Sequence, residues 1–356
     1  MGEFGATTQS TSWPPGRTER RNEMADDIGT VLITGATGYL GHHVVRELKE
    51  NIPKANLVAL IRAPSDDLPD GVDAIQGELS DHHWASADQV REIDIVLHLA
   101  AIVRHSRRGA GPMREANIEG TRRVAEVAKD RGARMVFLSS SGTVGCSRDD
   151  PDHSPDEEAP FCEDVVRRWP YYTSKIAGER IVNRMRDDGL DAVILRPPIM
   201  HGPGDHRFRS TGNIVRVLRR KLPFLIQGGY SFNDVRDVAA ACVAAATHPE
   251  PAPIYHLPGT SMGIVEFFQM VEEASGVPRP KRVLPYPIAR LIAGVMMPFG
   301  VLPDPAVVEM ARHHWGLSTR RAKTDLGWTP RSSGETIQDT VEWLQANHPD
   351  LQSHKS

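Results

Sequence analysis

Cysteine is scarce: Cys146, Cys162 and Cys242 are the only three in 356 residues, and no C-x-x-C pair occurs. An odd, scattered set excludes a disulfide framework and a thiolate zinc site, and it points to a reducing compartment, read here as the cytoplasm. None of the three carries the signature of a nucleophile, so they read as buried or inert thiols. Charge of one sign is also lacking, with a net of −4 when His is neutral. That balance gives no footprint for nucleic acid. Long apolar runs are missing too. The nearest, 288–302, is interrupted by Arg290 and Pro298. It is too short and broken to span a bilayer. It reads as an amphipathic or buried helix, with a helix lying on a membrane surface as the alternative. Histidines are frequent (His42-His43, His82-His83, His313-His314), but none has the H-E-x-x-H type of spacing, so no metal is expected. Nothing repeats at a fixed period.

What is present is ordinary for a globular enzyme: 40% hydrophobic and 25% charged residues. The first 23 residues are polar and lack an apolar core. They are not a secretory signal, and they read as an added leader ahead of Met24 or a disordered native tail. After them, short apolar runs alternate with helical patterns. Strand-like runs occupy 30–34 (TVLIT), 56–61, 73–76, 94–99, 134–139, 191–196 and 254–257. Helical patterns cover 38–50, 112–131 and 171–186. This order predicts an α/β, Rossmann-type doubly wound parallel sheet, because parallel neighbours need crossover connections. Residues 24–200 would form the Rossmann-type domain, with 233–258 returning to it. Residues 201–232 and 259–350 would form a smaller, mostly helical substrate lobe over the crevice at the carboxyl ends of the strands.

The segment from Thr34 to Gly41, TGATGYLG, follows the first strand and opens the first helix. In that context the glycines have separate tasks. Gly35 permits the tight turn, Gly38 lets the backbone approach a pyrophosphate, and Gly41 lets the helix pack closely on the sheet. Thr37, Tyr39 and Leu40 complete the cradle, where the helix N-terminus favours an anion. At the end of the second strand stands Arg62, with no acid before Asp66. A guanidinium can hold a 2′-phosphate bidentately, whereas a carboxylate would repel it. NADP(H) is therefore expected over NAD(H). The competing possibility is that Arg62 is a surface residue and Asp66 or Asp67 reaches the ribose.

Tyr171-Tyr172-Thr173-Ser174-Lys175 contains Y-x-x-x-K, which puts Tyr171 and Lys175 one turn apart on a helix face. A phenol there can exchange a proton with a carbonyl oxygen or an alcohol. Forming its phenolate at pH 7 from an ordinary pKa near 10 costs roughly 4 kcal/mol, which a nearby cation lowers. Tyr172 is the local competitor. Ser139-Ser140-Ser141 ends the fifth strand, where a hydroxyl can hold a substrate oxygen or merely satisfy backbone.

On these motifs, with HLAA at His98, N-I-E-G-T at Asn117, FLSSSGTVG at Phe137, RPPIMHGPGD at Arg196, DVRDVA at Asp234 and AKTDLGWTP at Ala322, the chain resembles the extended short-chain dehydrogenase/reductase family. This is also called the NAD-dependent epimerase/dehydratase family, and the likeness runs from 28 to 330. It implies Tyr171 as acid/base, with Lys175 binding the nicotinamide ribose and lowering the tyrosine pKa. Ser140 would polarise the substrate oxygen, with Ser141 the alternative by one register. It further implies Asn117 in support of the cofactor-side loop. Leu99, Ala100 and Ala101, with His98, would lie along the adenosine and ribose. Glu78 and Leu79 would sit near adenine, and Pro197, Pro198 and Ile199 would flank the carboxamide. Two departures stand out. Val144 is followed directly by Gly145 where many members read V-Y-G, and Glu78 stands where many have Asp. The first argues against nucleotide-sugar epimerases and dehydratases. The S-S-S-G-T-V run and Arg62 are most similar to the dihydroflavonol-reductase-like and 3β-hydroxysteroid-dehydrogenase-like branch.

The expected activity is therefore NADP(H)-dependent reduction of a ketone, or oxidation of a secondary alcohol, on a bulky and fairly apolar small molecule. A nucleotide-sugar epimerase or dehydratase that retains its cofactor, and a non-catalytic dinucleotide-binding protein, are the alternatives. His105 and His201 border the crevice in sequence and could touch substrate or be surface or core residues. Phe208, Leu222, Phe224, Leu225, Tyr230 and Phe232 could line a pocket or simply fill the lobe. Asp237 reads as a structural anchor. The basic clusters 104–108 and 216–221 read as solvated surface first and contacts to an anionic ligand second. A homodimer would pair through the helices before Arg131 and around Tyr171.

Overall fold

The computed structural model describes residues 28–81, 83–296 and 305–352. The segment 1–23 and the end of the apolar run 288–302 lie outside the described residues. Seven strands, β1 (Thr30–Thr34), β2 (Asn56–Ile61), β3 (Asp73–Gln76), β4 (Ile95–His98), β5 (Arg134–Leu138), β6 (Ala192–Arg196) and β7 (Ile254–His256), form one sheet. All neighbours are parallel, in the order β7-β6-β5-β4-β1-β2-β3. Four helices cover it: α1 (Tyr39–Asn51), α2 (Gly111–Asp130), α3 (Pro170–Asp187) and α4 (Val235–Thr247).

The strand sequences explain the two covered faces. Side chains alternate across a strand, so a run apolar at every position must be buried on both sides. In β1, Val31 and Ile33 join the core shared with Leu40, Val44 and Leu48 of α1 and Val238 and Cys242 of α4. Leu32 between them joins the opposite core, with Val124 and Ala128 of α2 and Val182 of α3. The chain runs outward from β1 to β3 and then crosses back to β4, so the strand order reverses between β1 and β4. There Thr34 is level with His98 at the carboxyl ends, the place where a doubly wound sheet opens its crevice.

The lobe is mostly helical, as expected, but it also holds a three-stranded sheet that its sequence does not announce. Ile199–His201 pairs in parallel with Gly229–Asp234, which pairs antiparallel with Thr260–Gly263. These strands are short and mixed in polarity (GYSFND, TSMG), so they carry no period of two and depend on tertiary pairing. Helices Ile264–Ser275 and Ser333–Asn347 supply Phe267, Val271, Ile337 and Leu344 to the lobe core. Leu225 and Phe232 are buried in that core, and Phe208, Leu222, Phe224 and Tyr230 are partly buried against it. Two contacts stitch lobe and sheet together beside the crevice. Tyr39 at the start of α1 donates its hydroxyl to the Gly202 carbonyl at 2.9 Å, and His43 Nε2 lies 2.9 Å from the Pro203 carbonyl. On α4, Asp237 accepts the Arg331 N–H at 2.7 Å and pairs with its guanidinium, which anchors the chain as it enters the last long helix.

Candidate active site

The glycine turn is a cradle made of main chain. Gly35 has φ +83°, and a Cβ there would stand 2.9 Å from the Ala100 nitrogen, so the turn lies tight on the segment after β4. At Gly41 a Cβ would fall 2.2 Å from the Gly35 oxygen and 2.5 Å from the Ala36 oxygen. The third glycine therefore lets the helix sit on its own turn, a closer constraint than the sheet contact expected of it. Gly38 caps α1 with no side-chain hydrogen bond, and no acid occupies the first turn. The N–H groups of Tyr39, Leu40 and Gly41 thus begin the helix without a competing carboxylate, and the helix dipole favours an anion there. Thr37 is half-buried in the same turn. These residues fit a dinucleotide pyrophosphate.

At the end of β2, Arg62 is exposed, and among the described residues its guanidinium has no ion pair or hydrogen bond. Asp67 is paired with Arg207, which leaves Asp66 as the nearby acid without a partner among the described residues. Glu78 is exposed. Leu79 packs over Gly120 of α2, whose added Cβ would come within 2.8 Å of it.

Buried polar contacts organise the end of β4. Thr34 Oγ1 is 2.7 Å from His98 Nδ1, and His98 Nε2 is 3.0 Å from Thr121 Oγ1. Burial pushes His98 down to about 3, and Lys175 adds to this, so the ring is neutral. Leu99 N–H donates to the Thr34 carbonyl, and Ala100 N–H donates to Thr34 Oγ1 at 3.3 Å. Ala101 is half-buried beside them. Asn117 holds the next residue at both ends, donating to the Ile102 carbonyl at 3.0 Å and accepting its N–H at 2.8 Å. It also donates to Ser174 Oγ at 3.1 Å, and Ser174 donates to the Tyr171 carbonyl at 2.7 Å. Asn117 thus couples the β4 loop to the helix that carries Tyr171.

The three serines at the end of β5 have different partners. Ser139 donates to Glu179. Ser140 Oγ accepts the Gly142 N–H at 3.3 Å and so caps the short turn Ser141–Thr143. Ser141 donates its N–H to the Pro197 carbonyl at 2.8 Å, and among the described residues its hydroxyl has no partner. Pro198 is buried next to that contact, and Ile199 is exposed.

On α3, Lys175 Nζ donates to the Leu138 carbonyl at 2.7 Å and lies over the Phe137 ring. Burial brings Lys175 down to about 8, against the opposing pull of Glu179. Tyr171 is half-buried, and burial pushes its phenol up to about 12. The lowering of the tyrosine expected from Lys175 does not appear: burial alone acts on the phenol. Tyr172, the competitor, is buried among Trp169, Val166 and Ile176, with its ring pressed on Gly142.

The motif reading missed Glu179 and Arg196. Both are fully buried and bonded by Arg196 Nη2 to Glu179 Oε2 at 2.6 Å and Nε to Oε2 at 3.1 Å. Arg196 also reaches His256 Nε2 at 3.0 Å. A signal was available: Glu179 continues the four-residue spacing of Tyr171 and Lys175 on one face of α3.

His201 is buried in the lobe core, stacked on Phe267 and 3.0 Å from the Tyr230 hydroxyl, so it does not face the crevice. His105 meets the Tyr171 ring edge-on at 6.0 Å, and it lines a cavity of about 540 Å³ with Arg104, Ser106, Arg108 and Gly109. Burial raises all three thiols. Among the described residues no group of three His, Cys, Asp or Glu side chains could hold a metal ion.

A family model described as the NAD dependent epimerase/dehydratase family matches residues 31–257, from β1 through β7. The chain belongs to that family. Its chemistry is that of an oxidoreductase, epimerase or dehydratase. It is 28% identical over 334 to 336 residues to relatives that include the sterol demethylase protein B of Methylococcus capsulatus, an alignment covering 89% of this chain and 98% of that one. It is 27% identical to the human 3 beta-hydroxysteroid dehydrogenase type 7, covering 88% and 95% respectively. The crystal structure of gox2253 superposes with a TM-score of 0.77 at 27% identity, covering 90% of this chain and 98% of that one.

Proposed function

We propose that the chain is an NADP(H)-dependent oxidoreductase that reduces a ketone on a bulky, fairly apolar small molecule. The observation that carries this reading is the placing of Tyr171 one turn from Lys175, whose Nζ is fixed 2.7 Å from the Leu138 carbonyl at the end of β5. When bound, the reduced nicotinamide supplies a hydride equivalent. Tyr171 donates the proton to the carbonyl oxygen. Held up at about 12, it carries that proton throughout the physiological range. Ser141 holds the substrate oxygen: its hydroxyl has no partner among the described residues, whereas Ser140 Oγ is turned to the Gly142 N–H at 3.3 Å. Lys175 binds the ribose, and Asn117 orients the loop and helix on either side. The uncommitted Arg62 takes the 2′-phosphate, and the pairing of Asp67 with Arg207 supports this by removing one competing acid. The sterol and steroid named for two relatives supports a bulky apolar substrate. A homodimer would pair through α2 and α3, which pack side by side on one face of the sheet.

The test is Tyr171→Phe, assayed as NADPH oxidation with a panel of steroid and aryl ketones. We expect kcat to fall by about 10²–10⁴-fold with NADPH affinity retained, and near-native turnover refutes the assignment. Net NADPH oxidation by the unaltered protein separates this reading from an epimerase or dehydratase that retains its cofactor, and any turnover separates it from a silent binding protein.

A further inference from the structure

Helix Tyr286–Met296 in the lobe is two-sided in an unusual way. Its inner side places Ala289 and Ala293, both fully buried, in the lobe core. Its outer side shows not polar residues but Ile288, Leu291 and Val295, which are 50%, 70% and 61% exposed. Their spacing of three and four residues sets them in one stripe. Val283, just before the helix, is a further 40% exposed. Charged residues flank the stripe, and they are of one sign. Between Glu273 and Asp304 the sequence has no acid, and it has Arg279, Lys281, Arg282 and Arg290. Arg279 is paired with Glu272 at 3.3 Å, while Lys281, Arg282 and Arg290 are exposed. Arg312 adds a fourth exposed cation, over the Tyr286 ring at 4.7 Å. Helix Pro305–Ala311, packed against this one, carries a single acid, the half-buried Glu309.

We propose that this face of the lobe docks on an anionic lipid bilayer, with Ile288, Leu291 and Val295 entering the headgroup boundary and Lys281, Arg282 and Arg290 over acidic headgroups. Aliphatic side chains beside cations that have no ion pair among the described residues are the composition of a helix that lies in a membrane interface. No helix of the described residues is long and apolar enough to cross a membrane, so the contact is peripheral. A second copy of the chain fits the face less well. Four aliphatic side chains cover far less than the ~800 Å² per partner of a standard interface, and like charges would meet across a two-fold axis. The docking rests on this surface alone and is independent of the chemistry proposed for the crevice.

The experiment is flotation of the full chain with vesicles of phosphatidylcholine and phosphatidylglycerol in equal parts, beside vesicles of phosphatidylcholine alone. The chain is expected to float with the mixed vesicles, several-fold less with the neutral ones, and less in high salt. Ile288→Ser with Leu291→Ser, both at exposed positions, is expected to lower binding at least tenfold with an unchanged melting temperature. Lys281→Glu with Arg290→Glu is expected to remove the preference for the mixed vesicles. Failure to float, or equal binding by the serine variant, overturns the proposal. So does a concentration-dependent dimer that the serine variant abolishes, since a second copy would then be the occupant.

Discussion

At the end of β1, Gly35, Gly38 and Gly41 make a cradle from main-chain groups, whereas at the end of β5, Ser139, Lys175, Glu179 and Arg196 make a buried network of side chains. The first is specified by the lack of side chains, and any addition damages it. The second is specified by mutual compensation, and any removal damages it. The two ends of one crevice should therefore fail differently. The largest expected effect is at the β5 end. Glu179→Ala leaves the Arg196 guanidinium buried among groups that cannot accept it all, His256 being held neutral by burial. Breaking a buried pair from one side costs about 3–5 kcal/mol, to be read as a loss of unfolding free energy in denaturant. A loss below about 1 kcal/mol would show that the network is not the means by which this end is held.

The complementary break at the β1 end is Gly41→Ala. The new methyl would meet two main-chain oxygens at 2.2 Å and 2.5 Å, neither of which can rotate away as a side chain would. The turn must open, at a stability cost of about 1–3 kcal/mol. Dinucleotide affinity, measured by calorimetric titration with NADPH, should fall further than stability does. Unaltered binding would mean that the spacing of this turn is not what the ligand reads.

These two ends also differed in how far the sequence revealed them. A glycine cradle is legible because each glycine is needed for its own local reason, and strand before and helix after give the context. The parallel sheet was legible for a similar reason: runs such as TVLIT, apolar at three successive positions, must be covered on both faces. The Glu179–Arg196 pair was not. The four-residue spacing sets Glu179 on the face of Tyr171 and Lys175 but does not say what it does there; its meaning comes from an arginine 17 residues away, brought beneath it by β6. The lobe sheet escaped for the same cause, since GYSFND becomes a strand only through Ile199–His201 and Thr260–Gly263 on either side. Ser140 and Ser141 could not be told apart by residue type; their hydrogen-bond partners differ only because of the fold around them.

A smaller effect is expected at Arg62, where the β1 end depends on one added charge rather than on missing side chains. Arg62→Ala should weaken NADPH by roughly 10- to 100-fold, the equivalent of about 1.5–3 kcal/mol for hydrogen bonds to a charged group, and leave NADH nearly unchanged. Equal losses for both cofactors would assign Arg62 to the adenine or the fold and would remove the basis for preferring NADP(H).

The smallest effect, and the one that separates catalysis from folding at the β5 end, is that of pH. Lys175 is held at about 8 in the folded chain against 10.5 as its ordinary value, because burial disfavours its charge. Between those two values the unfolded chain binds the proton and the folded chain does not, so the lysine makes stability rise with pH across that window. By pH 9 the gain is about 1 kcal/mol. Its ammonium, proposed above to bind the ribose, is lost in the same window, to about a tenth of the molecules at pH 9. Turnover should therefore fall above pH 8 while the melting temperature, corrected for the rest of the chain by comparison with Lys175→Met, moves the other way. In Lys175→Met both trends should vanish together. An alkaline loss of activity that survives in that variant would place the titrating group elsewhere, and the compensation that defines this end would then be a matter of folding alone.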